Sequence, residues 1–312
     1  MKKKTPLHLI VIPLCSALCF PSCKPVELKT VRVGYMVIEE CAPLLNEAAF
    51  RKHGLRLDLV QAPGGAVIVD SIIGGSLDFG YSNLVSPILA RSRGINLAVF
   101  AGCTYEDSTH AGHGLMVLPN SDIKSARDLK GKSIAVNTLR NIDHLMLARF
   151  LKGNGVSLDE VHLVEIPFQR MDTVLKQGAV QAAAVVEPFL TKSKDEQLKC
   201  IGDYFLLKPE DRIEVTSYVA KRSWLSKNPE IAKAFQEALH DSVAYYATHE
   251  DDFRNVIQKM TKLDAKLTAR MVLPAYGQEP TRDGIELLVQ EMKAQRFINA
   301  DYSVTDLIWS PQ

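Results

Sequence analysis

Apolar and polar positions along this chain repeat one pattern twice. Leu57-Asp-Leu-Val-Gln-Ala-Pro63 and Val161-His-Leu-Val-Glu-Ile-Pro167 each lead into a run with apolar residues at helical spacing, a closing glycine, and a second apolar run. In the first copy these are residues 64–75 and 76–82; in the second they are 168–178 and 179–187. Both read as strand, Pro-marked turn, helix, Gly stop, strand. Upstream of the first copy, Val31-Arg-Val-Gly-Tyr35 predicts a strand, and the next residues predict one helix. Ala42, Leu44, Leu45, Ala48, Ala49 and Phe50 form the buried face of that helix, and Gly54 stops it. Upstream of the second copy, Lys132-Ser-Ile-Ala-Val-Asn-Thr138 predicts a strand followed by a helix from Asn141, carrying Leu145, Met146, Leu147, Phe150 and Leu151 and ending at Gly155. Each half is therefore β-α-β-α-β, which predicts an α/β protein of two doubly wound lobes with mostly parallel sheets.

Between the copies, 95–101 and 114–118 read as strands, with 119–131 a polar helical connection that marks a crossover. Alternation over 213–220 predicts a second crossover strand. The rest is helical by pattern. Asn228-Pro229 places Pro in a first helical turn, Ile231, Ala232, Phe235, Leu239, Val243 and Tyr246 keep helical spacing, and 261–273 and 283–295 predict two more helices. With no strands of its own, this helical C-terminal extension is expected to cover the first lobe. The division predicted is 28–115 and 217–312 for lobe 1 and 116–216 for lobe 2.

Charge narrows the partners. With 37 basic and 36 acidic residues in 312, no field favours nucleic acid. Lys2-Lys3-Lys4 and the apolar run 7–20 form an export signal, since spanning a bilayer takes about 20 apolar residues. Phe20-Pro-Ser-Cys23 is similar to a bacterial lipobox, so 1–23 reads as a signal peptide with Cys23 as the residue to be lipidated, although Phe20 departs from that pattern. Export places the mature chain in the periplasm or on the outer face of a bacterial membrane, lipid-anchored, with a soluble form as the alternative. Beyond the signal only Cys41, Cys103 and Cys200 remain. An odd count without a CxxC argues against a disulfide framework or zinc site; buried free thiols are expected, with a Cys41–Cys103 pair as the alternative.

In open parallel sheets ligands bind beyond the carboxyl ends of strands, where helix N-termini present unpaired N–H groups. That rule selects Tyr35, Gly64, Gly65, Ser82 and Asn83 in the first half, and Thr138, Asn141, Phe168 and Glu187 in the second. Gly64 and Gly65 allow close backbone approach to a ligand, or simply make a turn. Ser82, Asn83 and Asn141 offer donors, or cap helices. Tyr35 and Phe168 are candidate walls. Glu187 interrupts an apolar run and needs a partner, from ligand or protein. Catalytic motifs are absent: there is no phosphate loop, GxGxxG, GxSxG or HExxH. His110-Ala-Gly-His113 lacks a third metal ligand nearby. No enzyme activity, cofactor or metal is expected.

The chain resembles the substrate-binding proteins of ABC importers in the group of nitrate, sulfonate, taurine and thiamine-precursor pyrimidine binders. The segments that carry the resemblance are 64–80, Asp128-Leu-Lys-Gly-Lys-Ser-Ile-Ala-Val-Asn137 and 178–189, and 215–220 is similar to the return strand of that group. The resemblance implies a type 2 periplasmic binding protein of two lobes joined by two strands. It also implies capture of a small molecule by lobe closure, and delivery to a permease driven by a separate ATPase. By position it assigns the nine residues above to the ligand cleft of a monomer. Because Glu187 fits a simple anion poorly, a ligand with both acceptor and donor ends, such as an amino-sulfonate or a pyrimidine, is expected over a plain sulfonate. Two rival readings are a sensing lipoprotein uncoupled from transport and a pyrimidine-synthase-like enzyme. The export signal and the lack of a Cys cluster count against the enzyme.

Overall fold

The computed structural model describes residues 28–299 and 307–310. The export signal and Cys23 lie outside the described residues.

Among the described residues eleven strands make two sheets. In chain order they are β1 (Lys29–Tyr35), β2 (Leu55–Gln61), β3 (Phe79–Asn83), β4 (Leu97–Glu106), β5 (His113–Val117), β6 (Ser133–Val136), β7 (His162–Glu165), β8 (Ala182–Val186), β9 (Lys199–Cys200), β10 (Ile213–Lys221) and β11 (Ala275–Gly277). The first sheet has the order β2-β1-β3-β10-β4-β11 and the second β7-β6-β8-β5-β9. The repeated sequence pattern is thus a repeated topology. β1, β2 and β3 pair in parallel, as do β6, β7 and β8.

Each sheet then receives one reversed strand from the chain as it arrives from the other lobe. β5 lies antiparallel to β8 and β9, and β10 lies antiparallel to β3 and β4. This differs from the division expected from sequence. Boundaries at 115/116 and 216/217 cut through β5 and β10, whereas sheet pairing puts the passages between lobes at 107–112 and 201–212. These passages contain no strand.

Helices cover both sheets: α1 (Glu47–Lys52), α2 (Gly65–Gly74), α3 (Val85–Ser92), α4 (Ile142–Gly153), α5 (Phe168–Lys176), α6 (Phe189–Asp195), α7 (Arg222–Lys227), α8 (Pro229–Thr248), α9 (Glu250–Thr261), α10 (Ala265–Thr268) and α11 (Arg282–Ala294). None of the described helices is long and apolar enough to cross a membrane. The single helix predicted after β1 is instead a 3₁₀ segment (Glu39–Leu45) followed by α1. Pro43 has no N–H to continue a helix, so the chain breaks at Asn46, whose side chain caps α1 by accepting from the Ala49 N–H. The tighter 3₁₀ winding turns Glu39 and Glu40 inward and leaves Leu45 exposed.

The C-terminal extension departs from expectation twice. It contributes β11 to the edge of the first sheet, and the helix predicted over 261–273 gives way to α9 before it and a short α10 within it. α8 seals the first sheet through Phe235, whose ring centroid lies 4.6 Å from that of Phe79 and 4.8 Å from that of Tyr218. Burying a ring of this size contributes about 2–3 kcal/mol. α11 reaches the second lobe as well. Arg149 on α4 pairs with Glu291 at 3.3 Å, and Arg140 donates to the Phe297 carbonyl at 2.8 Å. These guanidinium groups need acceptors, and the end of α11 supplies them.

Candidate functional site

The parallel strands of both sheets point their carboxyl ends at the space between the lobes, where six of the nine sequence-selected residues meet. Gly64 and Gly65 open α2. A Cβ on Gly65 would lie 2.7 Å from Ser82 Oγ and 3.0 Å from the Asn83 backbone nitrogen, so only glycine lets α2 sit this close to the end of β3. Ser82 Oγ donates to the Gly65 carbonyl at 3.0 Å. A Cβ on Gly64 would lie 2.8 Å from the Thr138 methyl across the gap between lobes. Thr138 is held by Asn137, which accepts from the Thr138 N–H at 2.8 Å and from Asn141 Nδ2 at 2.6 Å. Thr138 Oγ1 is buried without a hydrogen-bond partner among the described residues.

Two asparagines also do the capping anticipated as the simpler role. Asn141 accepts from the His144 N–H to start α4, and Asn83 accepts from the Ser86 N–H to start α3. Tyr35 is half-buried against the core at the end of β1, and Phe168 is buried at the start of α5. Neither has a described contact with the glycine cluster. Cys41 and Cys103 are buried free thiols, as expected, but Cys200 is exposed because its strand lies at the edge of the second sheet.

Glu187 is fully buried and its partners are protein groups. Its Oε1 accepts from Thr191 Oγ1 at 2.7 Å and from the Val272 N–H at 3.2 Å, and its Oε2 accepts from the Thr191 N–H at 3.0 Å. It therefore ties α6 to the C-terminal extension. Glu187→Ala would bury two backbone N–H groups without acceptors. A loss of about 2–3 kcal/mol is expected in urea unfolding of the ligand-free protein; unchanged stability with lost ligand affinity would return Glu187 to a ligand-contacting role.

A second polar group lies nearer the passages between lobes and takes in His113, which the sequence offered only as half of an incomplete metal motif. His113 Nδ1 lies 2.5 Å from Glu106 Oε1, and its Nε2 lies 3.6 Å from Asp143 Oδ1. Its ring stacks on Phe205 at 3.6 Å. Tyr204 Oη donates to Asp143 at 2.8 Å, and Asn141 Nδ2 donates to its other oxygen at 2.9 Å. This chain of contacts links the glycine cluster to the hinge side of the cleft. On the lobe 1 side Glu40 accepts from Thr104 Oγ1 at 2.8 Å, and Thr104, Thr216 and Tyr81 share hydroxyl contacts. Glu39 and Glu106 each leave one buried carboxylate oxygen, Oε2, without a hydrogen-bond partner among the described residues.

A sequence signal for this group existed. Glu39-Glu40 interrupts Met36-Val37-Ile38 and Cys41-Ala42, and Glu106 ends a strand with an apolar start. The burial argument applied to Glu187 applies equally to them.

Charge within the group is unbalanced. Burial opposes protonation of His113, but the adjoining Glu106 and Asp143 carboxylates outweigh it and push the imidazole up to about 9. Burial raises the carboxyls of Glu39, Glu40, Asp143 and Glu187, with Glu40 and Glu187 adding to the effect at Glu39. All these groups are raised in the folded state, so each contributes stability that is complete below its ordinary pKa and is lost as pH rises through its folded one. The ligand-free protein is therefore expected to melt at a lower temperature at pH 9.5 than at pH 6. Melting temperatures equal at the two values would contradict the assignment.

The sequence matches the protein-family model described as NMT1/THI5 like over residues 49–252. The taurine-binding periplasmic protein of Escherichia coli (strain K12) is 23% identical over 235 residues, covering 75% of this chain and 71% of that protein. The alkanesulfonate-binding protein SsuA from Xanthomonas axonopodis pv. citri, solved bound to MOPS, superposes with a TM-score of 0.77 at 16% identity, covering 91% of this chain and 99% of the other. The ligand-binding component of an ABC-type import system from Staphylococcus aureus gives a TM-score of 0.75 at 15% identity, covering 90% and 96%.

Proposed function

The chain belongs to the NMT1/THI5-like family, and from that membership we propose that it is the extracytoplasmic solute-binding component of an ABC importer. It captures a small organic molecule between its lobes and hands it to a permease driven by a separate ATPase. The observation that carries this reading is the approach of Gly64 to Thr138, because two α/β lobes meeting backbone to side chain across a polar gap form a device for enclosing something. Gly64, Gly65, Ser82, Asn83, Thr138 and Asn141 form the mouth of the cleft, with Tyr35 and Phe168 as walls farther from it. Related proteins named for sulfonates and taurine, and for an ABC-type import system, support the same assignment. The basic and apolar leader supports export, with Cys23 as the lipid-bearing residue on the outer face of the membrane and the mature chain acting as a monomer.

Capture requires that binding stabilise the closed state. At a ligand concentration 100 times Kd, the melting free energy rises by about 2.7 kcal/mol. A thermal-shift screen against sulfonates, amino-sulfonates, nitrate, pyrimidines, flavins and amines is expected to give such a rise for one class. Flat curves for every class would contradict capture.

A further inference from the structure

A cavity the size of one water molecule remains between the lobes, about 10 Å³ for the centre of a water-sized sphere. Its walls include Glu39, Glu40, Glu106, His110, Val186 and Val272, and the His110 imidazole is engaged by Asp107, its Nδ1 lying 3.0 Å from Asp107 Oδ1. Glu39 and Glu106 are 3% and 6% exposed, and both line this cavity. Each leaves its Oε2 buried with no hydrogen-bond partner among the described residues. A carboxylate oxygen in such a place lacks the donors that would offset its loss of water. His113 supplies one cation, and it is already bound to Glu106 Oε1. Glu187 adds a further buried carboxylate, whose charge acts on Glu39.

We propose that the cleft takes a small organic cation with N–H donors, a protonated primary amine or an amidinium, whose nitrogen occupies the space between Glu39 and Glu106. This rests on the solute-capture reading and names its ligand class. The chemistry follows from three observations. The unpaired groups are acceptors, so the guest must donate. They are carboxyl groups, so a positive guest gains from both and holds Glu39 ionised against the burial that raises it, while a sulfonate placed there would gain no such partner. Among the described residues, no group of three or more His, Cys, Asp or Glu is arranged to hold a metal ion, which points to an organic nitrogen. A cavity of this size accommodates an ammonium or one edge of an amidinium.

The test uses the full chain, with benzylamine and benzamidine as N–H cations, choline as a cation without N–H, and ethanesulfonate and an uncharged aminopyrimidine as comparisons. At 100 times Kd, benzylamine or benzamidine is expected to raise Tm by about 5 °C or more, with choline and ethanesulfonate leaving it unchanged. Glu39→Gln, which keeps the shape and removes the charge, is expected to weaken amine binding at least tenfold by calorimetry. If that variant fails to fold, the comparison of benzylamine with choline on the natural chain decides alone. Choline matching the amines would overturn the proposal. Ethanesulfonate or the pyrimidine shifting the natural chain and Glu39→Gln equally, with flat amine curves, would overturn it and leave solute capture standing. Flat curves with all of them would overturn it, and flat curves across the wider screen as well would overturn capture.

Discussion

Replacing His113 by alanine is expected to destabilise the ligand-free protein by about 3–5 kcal/mol, the cost of removing one partner from a buried ion pair. His113 holds Glu106 at 2.5 Å and faces Asp143 at 3.6 Å. Without its positive charge the two carboxylates keep their burial and lose their counter-ion. The stack of its ring on Phe205 is lost as well, so the deletion also leaves a cavity. In a thermal melt this corresponds to a fall of about 5–9 °C.

Charge and packing can be separated by a double-mutant cycle. If the ion pair dominates, Glu106→Gln combined with His113→Ala costs less than the sum of the two single changes, by 1 kcal/mol or more. Strict additivity would mean that the imidazole acts mainly as a packed ring. The pH response is a further check, because the part of the alkaline loss of stability that comes from His113 should disappear in His113→Ala.

The second large effect is on affinity. Gly64→Leu is expected to reduce ligand binding at least a hundredfold while leaving the fold of each lobe intact. The backbone at Gly64 is extended, with φ −169°, a conformation any residue adopts, so no backbone strain confuses the outcome. What changes is the gap. A Cβ alone would stand 2.8 Å from the Thr138 methyl, and a leucine branch extends farther into the second lobe. Thr138 cannot retreat freely, because Asn137 fixes its backbone and Asn141 in turn fixes Asn137. The lobes are then held apart, and a ligand that needs both walls loses one of them. Gly64→Ala should act in the same direction with a smaller loss, since turning the threonine side chain relieves part of the clash. Undiminished binding in Gly64→Leu would mean that the two lobes need not approach at this point.

The duplicated architecture was legible because parallel strands buried on both faces, such as Ala182–Val186, read as continuous apolar runs, and because glycines stop the intervening helices. The reversed strands were seen as strands but placed at the wrong boundary. Nothing local in Ile213–Lys221 says that it will insert between β3 and β4, since that is decided by which sheet has an unfilled position when the chain returns. Pro43 was visible in the sequence, yet the apolar spacing around it suggested one helix. α9 was missed because its inward face is narrow, with Phe253 and Ile257 the buried residues of its twelve.

At the site, the strand-end rule brought Gly64, Gly65, Ser82, Asn83, Thr138 and Asn141 to one place. It gave Glu187 the right burial and left its partner open between ligand and protein; the protein supplies it. Glu39, Glu106 and Asp143 lie far apart in the chain, and their meeting depends on the 3₁₀ turn and on the passage at 107–112. No local pattern encodes that.

The central claim is that the two lobes close on a solute. It is tested most directly by the distance between spin labels on Cys residues introduced at Val60 and Val164, both exposed and near the ends of the corresponding strands β2 and β7. Cys200, the exposed thiol among the described residues, would be replaced by serine. Pulsed electron resonance is expected to show a broad distribution without ligand that narrows and shortens at saturation, and that remains long in Gly64→Leu. A distribution unchanged by saturating ligand in the otherwise natural chain would contradict closure.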